Sequence, residues 1–217
     1  MRTFAIVPVK RFERSKSRLG TILSIEQRRT LCELLLLNTI IALEQSHAIS
    51  KILVVTSEKS AVELASSIGA ECLKLNCDNG VNEALVLANE YSSNNGADAT
   101  VVIPQDIPLL TASDIDSLCS RAELLVKCIV ICPSIRYDGT NALLRKPPKL
   151  IKTFYDEDSF NSHVRASTIT NVPIRFHLSR RIMIDLDSAE DIRILMKEKL
   201  LNLPLAYLRS KLRDDFY

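Results

Sequence analysis

The chain has 217 residues, 47% hydrophobic and 25% charged, with a formal net charge of +2. This length buries a sizeable core, expected as a single domain over 1–217, and the composition excludes a disordered or fibrous chain. A charge balance so near neutral speaks against a nucleic-acid partner, which would call for a basic stripe over a whole face, and the longest aliphatic run, Leu34 to Leu37, is far short of the roughly 20 apolar residues of a membrane span.

The amino terminus enters a strand at once, Phe4 to Val9, with no ordered set of charged, apolar and small residues of the kind a secretory signal has, so a cytoplasmic protein is expected. A basic loop follows, with Lys10, Arg11, Arg14, Lys16 and Arg18 against one acid, Glu13. Ser24 and Gln27 predict a capping box opening a helix in which Leu31, Leu34, Leu35, Asn38 and Ile41 share a face. Lys51 to Thr56 reads as a strand, Ser60 to Ile68 as a helix closed by Gly69, Cys72 to Leu75 as a strand, Asn76 to Gly80 as a loop and Val81 to Tyr91 as a helix. Thr100 to Ile103 is the next strand.

Beyond it, Ser113 starts a helix, Lys127 to Cys132 and Asn141 to Arg145 read as strands, and Pro147-Pro148 is a breaker. A helix is expected near Ser159 to Ala166, and Ile182 to Ile184 is expected to return to the sheet. Ser188 then caps a helical segment, about 188–217, whose apolar Leu203 to Leu208 packs on the body or on a second subunit, which makes a homodimer the expected assembly. This alternation, with strands of nearly continuous Val, Ile and Leu, predicts a three-layer α/β/α architecture around a mostly parallel, mixed sheet. The six cysteines form no CxxC pair and several sit in apolar runs, which reads as reduced packing residues without zinc.

Two apolar runs open into carboxylates, Thr100 to Pro108 and Ile182 to Asp187. If both are strands, Asp106, Asp185 and Asp187 lie at the carboxyl edge of one sheet, where open α/β sheets bind ligands. Oxygen ligands of this kind suit Mg2+, commonly held by one or two carboxylates together with substrate phosphate. Asp185 and Asp187 are two apart on an extended segment and are expected to point the same way, while Pro104 and Pro108 stiffen the backbone around Asp106. Lys10, Lys16 and Arg18 supply the complementary charge for phosphates. Cationic loop and acidic edge together indicate a nucleoside triphosphate.

The order of segments resembles the 2-phospholactate guanylyltransferases and their phosphoenolpyruvate-using relatives, which make the precursor of coenzyme F-420. The resemblance is carried by Val7-Pro8-Val9-Lys10, Lys16-Ser17-Arg18-Leu19, Asn79 to Leu85, Pro104 to Leu110, Gly139-Thr140-Asn141-Ala142-Leu143-Leu144, Ser159-Phe160 with His163, and Asp185-Leu186-Asp187 with Glu190-Asp191. It implies a glycosyltransferase-A type fold, as in nucleotide-diphospho-sugar transferases, and transfer of GMP from GTP to a small phosphorylated hydroxy acid, with 2-phospho-L-lactate leading and phosphoenolpyruvate and 3-phosphoglycerate next. By matching position, Pro8, Lys10, Lys16 and Arg18 hold the nucleotide, and Gly80 and Asn82 face the nucleoside. Thr140, Asn141 and Ser159 bind the phospho-acid, and Asp106, Asp185 and Asp187 hold Mg2+. The chain departs from the family pattern at Asp156, where glycine is usual, and at Gln105, where alanine or glycine is. Outside this reading stand a cytidylyl- or guanylyltransferase of sugar phosphates or pterins and a nucleotide-binding regulatory protein.

Overall fold

Strands rich in Val, Ile and Leu can be buried on both faces, and here they form a seven-stranded sheet at the centre of the molecule. The computed structural model describes residues 1–156, 158–200 and 202–212, residue 14 by its backbone alone. The strands are β1 (Thr3–Val9), β2 (Ile49–Thr56), β3 (Glu71–Lys74), β4 (Ala99–Val102), β5 (Cys128–Pro133), β6 (Thr140–Lys146) and β7 (Ile174–Phe176), in the order β3-β2-β1-β4-β6-β5-β7. All neighbours run parallel except at β6, which is antiparallel to β4 and β5. The sheet is therefore mixed and mostly parallel, as expected. The sequence pattern did not announce the short edge strand β7, because Ile-Arg-Phe is too short and too polar to show a period.

Helices α1 (Ile25–Glu44), α2 (Lys59–Ser67) and α4 (Ala112–Ser120) cover one face, where Cys32, Leu36, Ile40, Ala61, Ala65, Ile115 and Leu118 meet Val7, Val54, Val101 and Val130. On the other face α3 (Val81–Asn94) places Leu85 and Ala88 on Ile6, Leu53 and Ile129, and α5 (Ser159–Ile169) lies beside it. Ser24 and Gln27 form the reciprocal capping box at the start of α1. The buried stripe of α1 runs through Leu31/Cys32, Leu35/Leu36, Thr39/Ile40 and Ala42/Leu43, with Leu34, Asn38 and Ile41 only half-buried, because the helix is wedged between two cores and needs a stripe wider than one row.

The second of those cores joins α1 to the carboxyl-terminal helices α7 (Ala189–Met196) and α8 (Leu203–Lys211) through Leu31, Leu35, Ile192, Leu195, Leu205 and Leu208. Each fully buried leucine there contributes roughly 1.5–3 kcal/mol. The apolar face of α8 is thus covered by α1 of its own chain, which removes the basis for expecting a second subunit on it. Leu201 and residues 213–217 of the expected helical segment lie outside the described residues. Four of the six cysteines are buried and all are free, in line with the packing role expected of them.

Ile182 to Ile184 is not a strand. The chain forms a single helical turn, α6 (Arg180–Met183), and then runs extended across the end of the sheet. The run is apolar because Ile182 plugs the main core while Ile184 and Leu186 plug the core under α7. It is fastened by single bonds rather than a ladder: Leu186 N donates to Asp106 O (2.9 Å), Ile135 N to Met183 O (2.8 Å) and Asn141 Nδ2 to Ile182 O (2.9 Å). Those bonds still bring Asp185 and Asp187 to the end of β4, where Asp106 lies.

Candidate active site

The loop after β1 turns inward at Lys16. Two 3-10 turns, Phe12–Arg14 and Ser17–Leu19, flank it, and buried Phe12 and Leu19 anchor the loop on either side. Lys16 itself is left-handed (φ 55°, ψ 33°), which directs a long side chain into the protein instead of along the surface. Its side chain is 4% exposed, and its ammonium donates to Asp106 Oδ2 at 2.9 Å and to Asp187 Oδ1 at 2.8 Å. Burial works against the charge, yet the two carboxylates outweigh it and hold the ammonium above the usual lysine range. Asp187 is only partly buried, its side chain 40% exposed, and Lys16 outweighs what burial there is and holds its carboxyl below the usual range. Asp187 is further fixed by its own N–H, which donates to Asp191 Oδ2 (3.0 Å) in the capping box of α7.

Asp185 differs from its neighbour. Its partner is the Asn141 side-chain amide, at 3.3 Å. Burial, with Asp106 next and Asp187 after, pushes it up to about 6. The pair that converges on one point is accordingly Asp106 with Asp187, and not Asp185 with Asp187 as their spacing suggested, because Asn141 draws Asp185 aside. Among the described residues no three acidic, histidine or cysteine side chains are grouped around one point. Two carboxylates already sharing one cation, with a third close enough to feel their charge, nonetheless fit a hard dication that completes its shell with substrate phosphate.

A cleft of about 290 Å³ opens onto this point, lined by Pro8, Lys10, Ser15, Lys16, Val81, Pro104, Gln105, Asp106, Tyr155 and Asp187. It lies at the carboxyl ends of β1 and β4, with the start of α3 opposite. Gly80 precedes α3 with φ 101°, a conformation that side chains rarely adopt, and lines an adjoining crevice with Pro8, Val9, Lys10 and Val81.

Of the residues singled out in the sequence, Pro8, Lys10, Lys16, Asp106 and Asp187 therefore meet in one cleft. Arg18 is exposed at its rim and does not line it, though its charge helps to lower Asp187. Asn82 does not face the cleft: it accepts from Tyr155 N (2.9 Å) and donates to Asp156 Oδ2 (2.8 Å), clamping α3 to the loop before α5, because the first turn of α3 packs beside that loop. Thr140, Asn141 and Ser159 are buried and also absent from the lining. Thr140 Oγ1 lies 3.0 Å from His163 Nδ1, and Asn141 holds Ile182 O and Asp185. The His163 of the family pattern is buried inside the protein, its Nε2 accepting from Phe154 N (2.9 Å).

Sequence reasoning missed Ser15, Val81 and Tyr155 as lining residues, and noted Gln105 only as a departure. Buried polar atoms on Gln105 (Oε1) and Tyr155 (Oη) have no hydrogen-bond partner among the described residues. Nothing in the local spelling around Tyr155 marks it, since only the clamp through Asn82 carries it over the cleft.

A family model described as guanylyl transferase CofC like matches residues 3–211. A phosphoenolpyruvate guanylyltransferase of Rubrobacter xylanophilus is 33% identical over 192 residues, covering 88% of this chain and 92% of that one. A 2-phospho-L-lactate guanylyltransferase of Methanothermobacter thermautotrophicus is 30% identical over 195 residues, 88% and 83% of the two chains. A 3-phospho-D-glycerate guanylyltransferase of Colwellia psychrerythraea is 29% identical over 212 residues, 98% of each. Among solved structures, a protein described as a nucleotide-diphospho-sugar transferase from Desulfovibrio desulfuricans G20 superposes with a TM-score of 0.77 at 15% identity, over 97% of this chain and 95% of that one. A CMP:2-keto-3-deoxy-manno-octonic acid synthetase complexed with CTP gives 0.61 at 12% identity, over 92% and 100%. These two likenesses concern the fold, which is the glycosyltransferase-A type expected from the sequence.

Proposed function

The chain belongs to the CofC-like guanylyl transferase family, and we propose that it transfers GMP from GTP to 2-phospho-L-lactate, releasing pyrophosphate and forming lactyl-2-diphospho-5'-guanosine for coenzyme F-420. The observation that carries this reading is the convergence of Lys10, Lys16, Asp106 and Asp187 on one cleft at the carboxyl end of the sheet.

The chemistry asks little of acid–base groups. A phosphate monoester has its second pKa at about 6, so at neutral pH the acceptor oxygen is already ionised and attacks the α-phosphorus directly. The new bond joins that oxygen to the α-phosphorus, and the bond to the β-phosphate oxygen breaks as pyrophosphate leaves. The protein's part is to position two anions and offset their charge. Lys10 lines the cleft and offers a point charge to the phosphates, with Arg18 at the rim to receive the leaving group. Pro8 and Gly80, which both line the adjoining crevice, leave room for the nucleoside. Asp106 and Asp187, with Asp185 beside them, would hold Mg2+, which supplies charge neutralisation at the phosphates when bound. Thr140, Asn141 and Ser159 support the acceptor end by fixing the backbone around Asp185 and α5.

A second acceptor has an observation of its own. The relative named for 3-phospho-D-glycerate aligns over 98% of both chains, including the segment of α8 that packs on α1. Pyrophosphate release with Mg2+, each of four nucleoside triphosphates, and 2-phospho-L-lactate, phosphoenolpyruvate, 3-phosphoglycerate or a sugar phosphate tests both. Release with GTP and 2-phospho-L-lactate is expected. Release with GTP and 3-phosphoglycerate alone would establish the second acceptor, and release only with a sugar phosphate or another nucleotide would overturn the reading.

A further inference from the structure

Lys16 is bonded to carboxylates, not poised for phosphates. Its ammonium has three donors and directs two of them to Asp106 (2.9 Å) and Asp187 (2.8 Å), with the side chain 4% exposed. These are the same oxygens that a divalent cation would take in the reaction proposed above, on which this inference rests. The left-handed backbone at Lys16, set between two anchored 3-10 turns, holds the side chain to that position.

We propose that Lys16 is a resident counter-ion that occupies the cation position between Asp106 and Asp187 until nucleotide arrives, so that a divalent cation enters only together with a triphosphate. The reason is electrostatic. A metal ion arriving alone must expel the ammonium from its carboxylates and leave it buried without a partner, which is costly for a charge in a desolvated setting. A metal arriving on a triphosphate brings phosphate oxygens to which the same ammonium turns within the cleft that Lys10, Ser15 and Gln105 line. Metal and nucleotide are thereby coupled, each favouring the other's binding by the same factor. The arrangement also keeps a ready-made acidic pair from filling with whichever divalent ion binds carboxylates most tightly.

The test is Mn2+ binding, followed by the loss of the free-ion electron paramagnetic signal, to the full chain without nucleotide or acceptor. The expected result is weak binding by the wild type and by Lys16→Arg, which keeps the charge, and at least tenfold tighter binding by Lys16→Met, which removes it. Thermal unfolding gives a second reading: Mn2+ should raise the Tm of Lys16→Met by more than that of the wild type. Lys16→Gln, which keeps one donor for either carboxylate, is read in the same way if Lys16→Met does not fold. Equal Mn2+ affinity in wild type and the neutral variants would overturn the proposal. Turnover plays no part in this measurement, so that outcome leaves guanylyl transfer standing, while a wild type silent with every acceptor leaves the counter-ion assignment standing.

Discussion

Thr140 Oγ1 receives its hydrogen bond from His163 Nδ1, 3.0 Å away. The direction follows from the other side of the ring, where Nε2 accepts the Phe154 N–H at 2.9 Å, so the proton of the neutral imidazole must sit on Nδ1. Burial, with the Arg145 charge next, lowers His163 to about 4. In the unfolded chain it titrates at about 6.5. The neutral form is therefore favoured by folding: its contribution is complete above the unfolded value and is lost as pH falls from about 6.5 through about 4. The loss amounts to about 2–3 kcal/mol by pH 4.5, since a tenfold difference in proton affinity between the folded and unfolded chain corresponds to about 1.4 kcal/mol. Denaturant unfolding at pH 7.5 and 4.5 should show a smaller pH dependence in His163→Gln than in the wild type, although the variant is less stable at pH 7.5. Parallel pH curves would mean that the ring does not titrate in this window.

Asp106→Asn should abolish turnover and keep the fold. The backbone oxygen of Asp106 holds Leu186 N, and this bond does not depend on the side chain. Lys16 keeps Asp187 in the variant, so the cleft retains one of its two ion pairs. Removing one of the two carboxylates that would hold the cation at the phosphates is expected to lower kcat by at least about 100-fold, the scale seen when one electrostatic contact to a transition state is removed. Circular dichroism and pyrophosphate release measured on the same sample check both parts, and near-normal kcat would remove Asp106 from the site.

The β-α alternation was legible in the sequence because each strand is a run of aliphatic residues bounded by turn formers, and because Ser24, Gly69 and Ser188 mark helix ends locally. The cleft residues that follow β1 and β4 were legible for the same reason: a strand that runs into charge announces a ligand edge. What failed was the inference from apolar run to strand at Ile182 to Ile184. An apolar run reports burial, and burial between two cores gives the same spelling as burial in a sheet. The role of Asn82 was also out of reach, since its partners at Tyr155 and Asp156 lie more than 70 positions along the chain. Contacts of that range leave no mark in local spacing.

Asp156→Gly should change the acceptor's KM and leave that for GTP unaltered. The carboxylate adds negative charge one residue from Tyr155, which lines the cleft, and an anionic acceptor must approach past it. Loss of the 2.8 Å bond to Asn82 still leaves Tyr155 N on Asn82 Oδ1, so the loop stays clamped. A severalfold fall in acceptor KM is expected, the scale of about 1 kcal/mol for two unit charges about 4 Å apart in water, the setting of the exposed Asp156. Steady-state kinetics with each substrate varied in turn decides it, and a change confined to the KM for GTP would place the acceptor elsewhere.

Arg145 offers a test of how the loop over α3 is held. The guanidinium is 1% exposed and lines a cavity between α3 and residues 149–153. Its Nη1 donates to Ile151 O at 3.1 Å, and its Nη2 to Asn89 Oδ1 and Thr100 Oγ1, but among the described residues it has no carboxylate partner. Burial accordingly lowers it to about 10, which leaves it charged at neutral pH. The side chain is thus a fork between a loop carbonyl and a helix amide, held in place despite the cost of a desolvated charge. Arg145→Met removes the charge and the fork together, which relieves the desolvation while leaving Ile151 O and Asn89 unpaired, a loss of about 1–3 kcal/mol. Arg145→Lys keeps the buried charge but loses the fork, because one ammonium does not span both acceptors. The nominally conservative change should therefore destabilise at least as much as the drastic one in urea unfolding. The reverse order would mean that the positive charge itself, and not its geometry, holds the loop against α3.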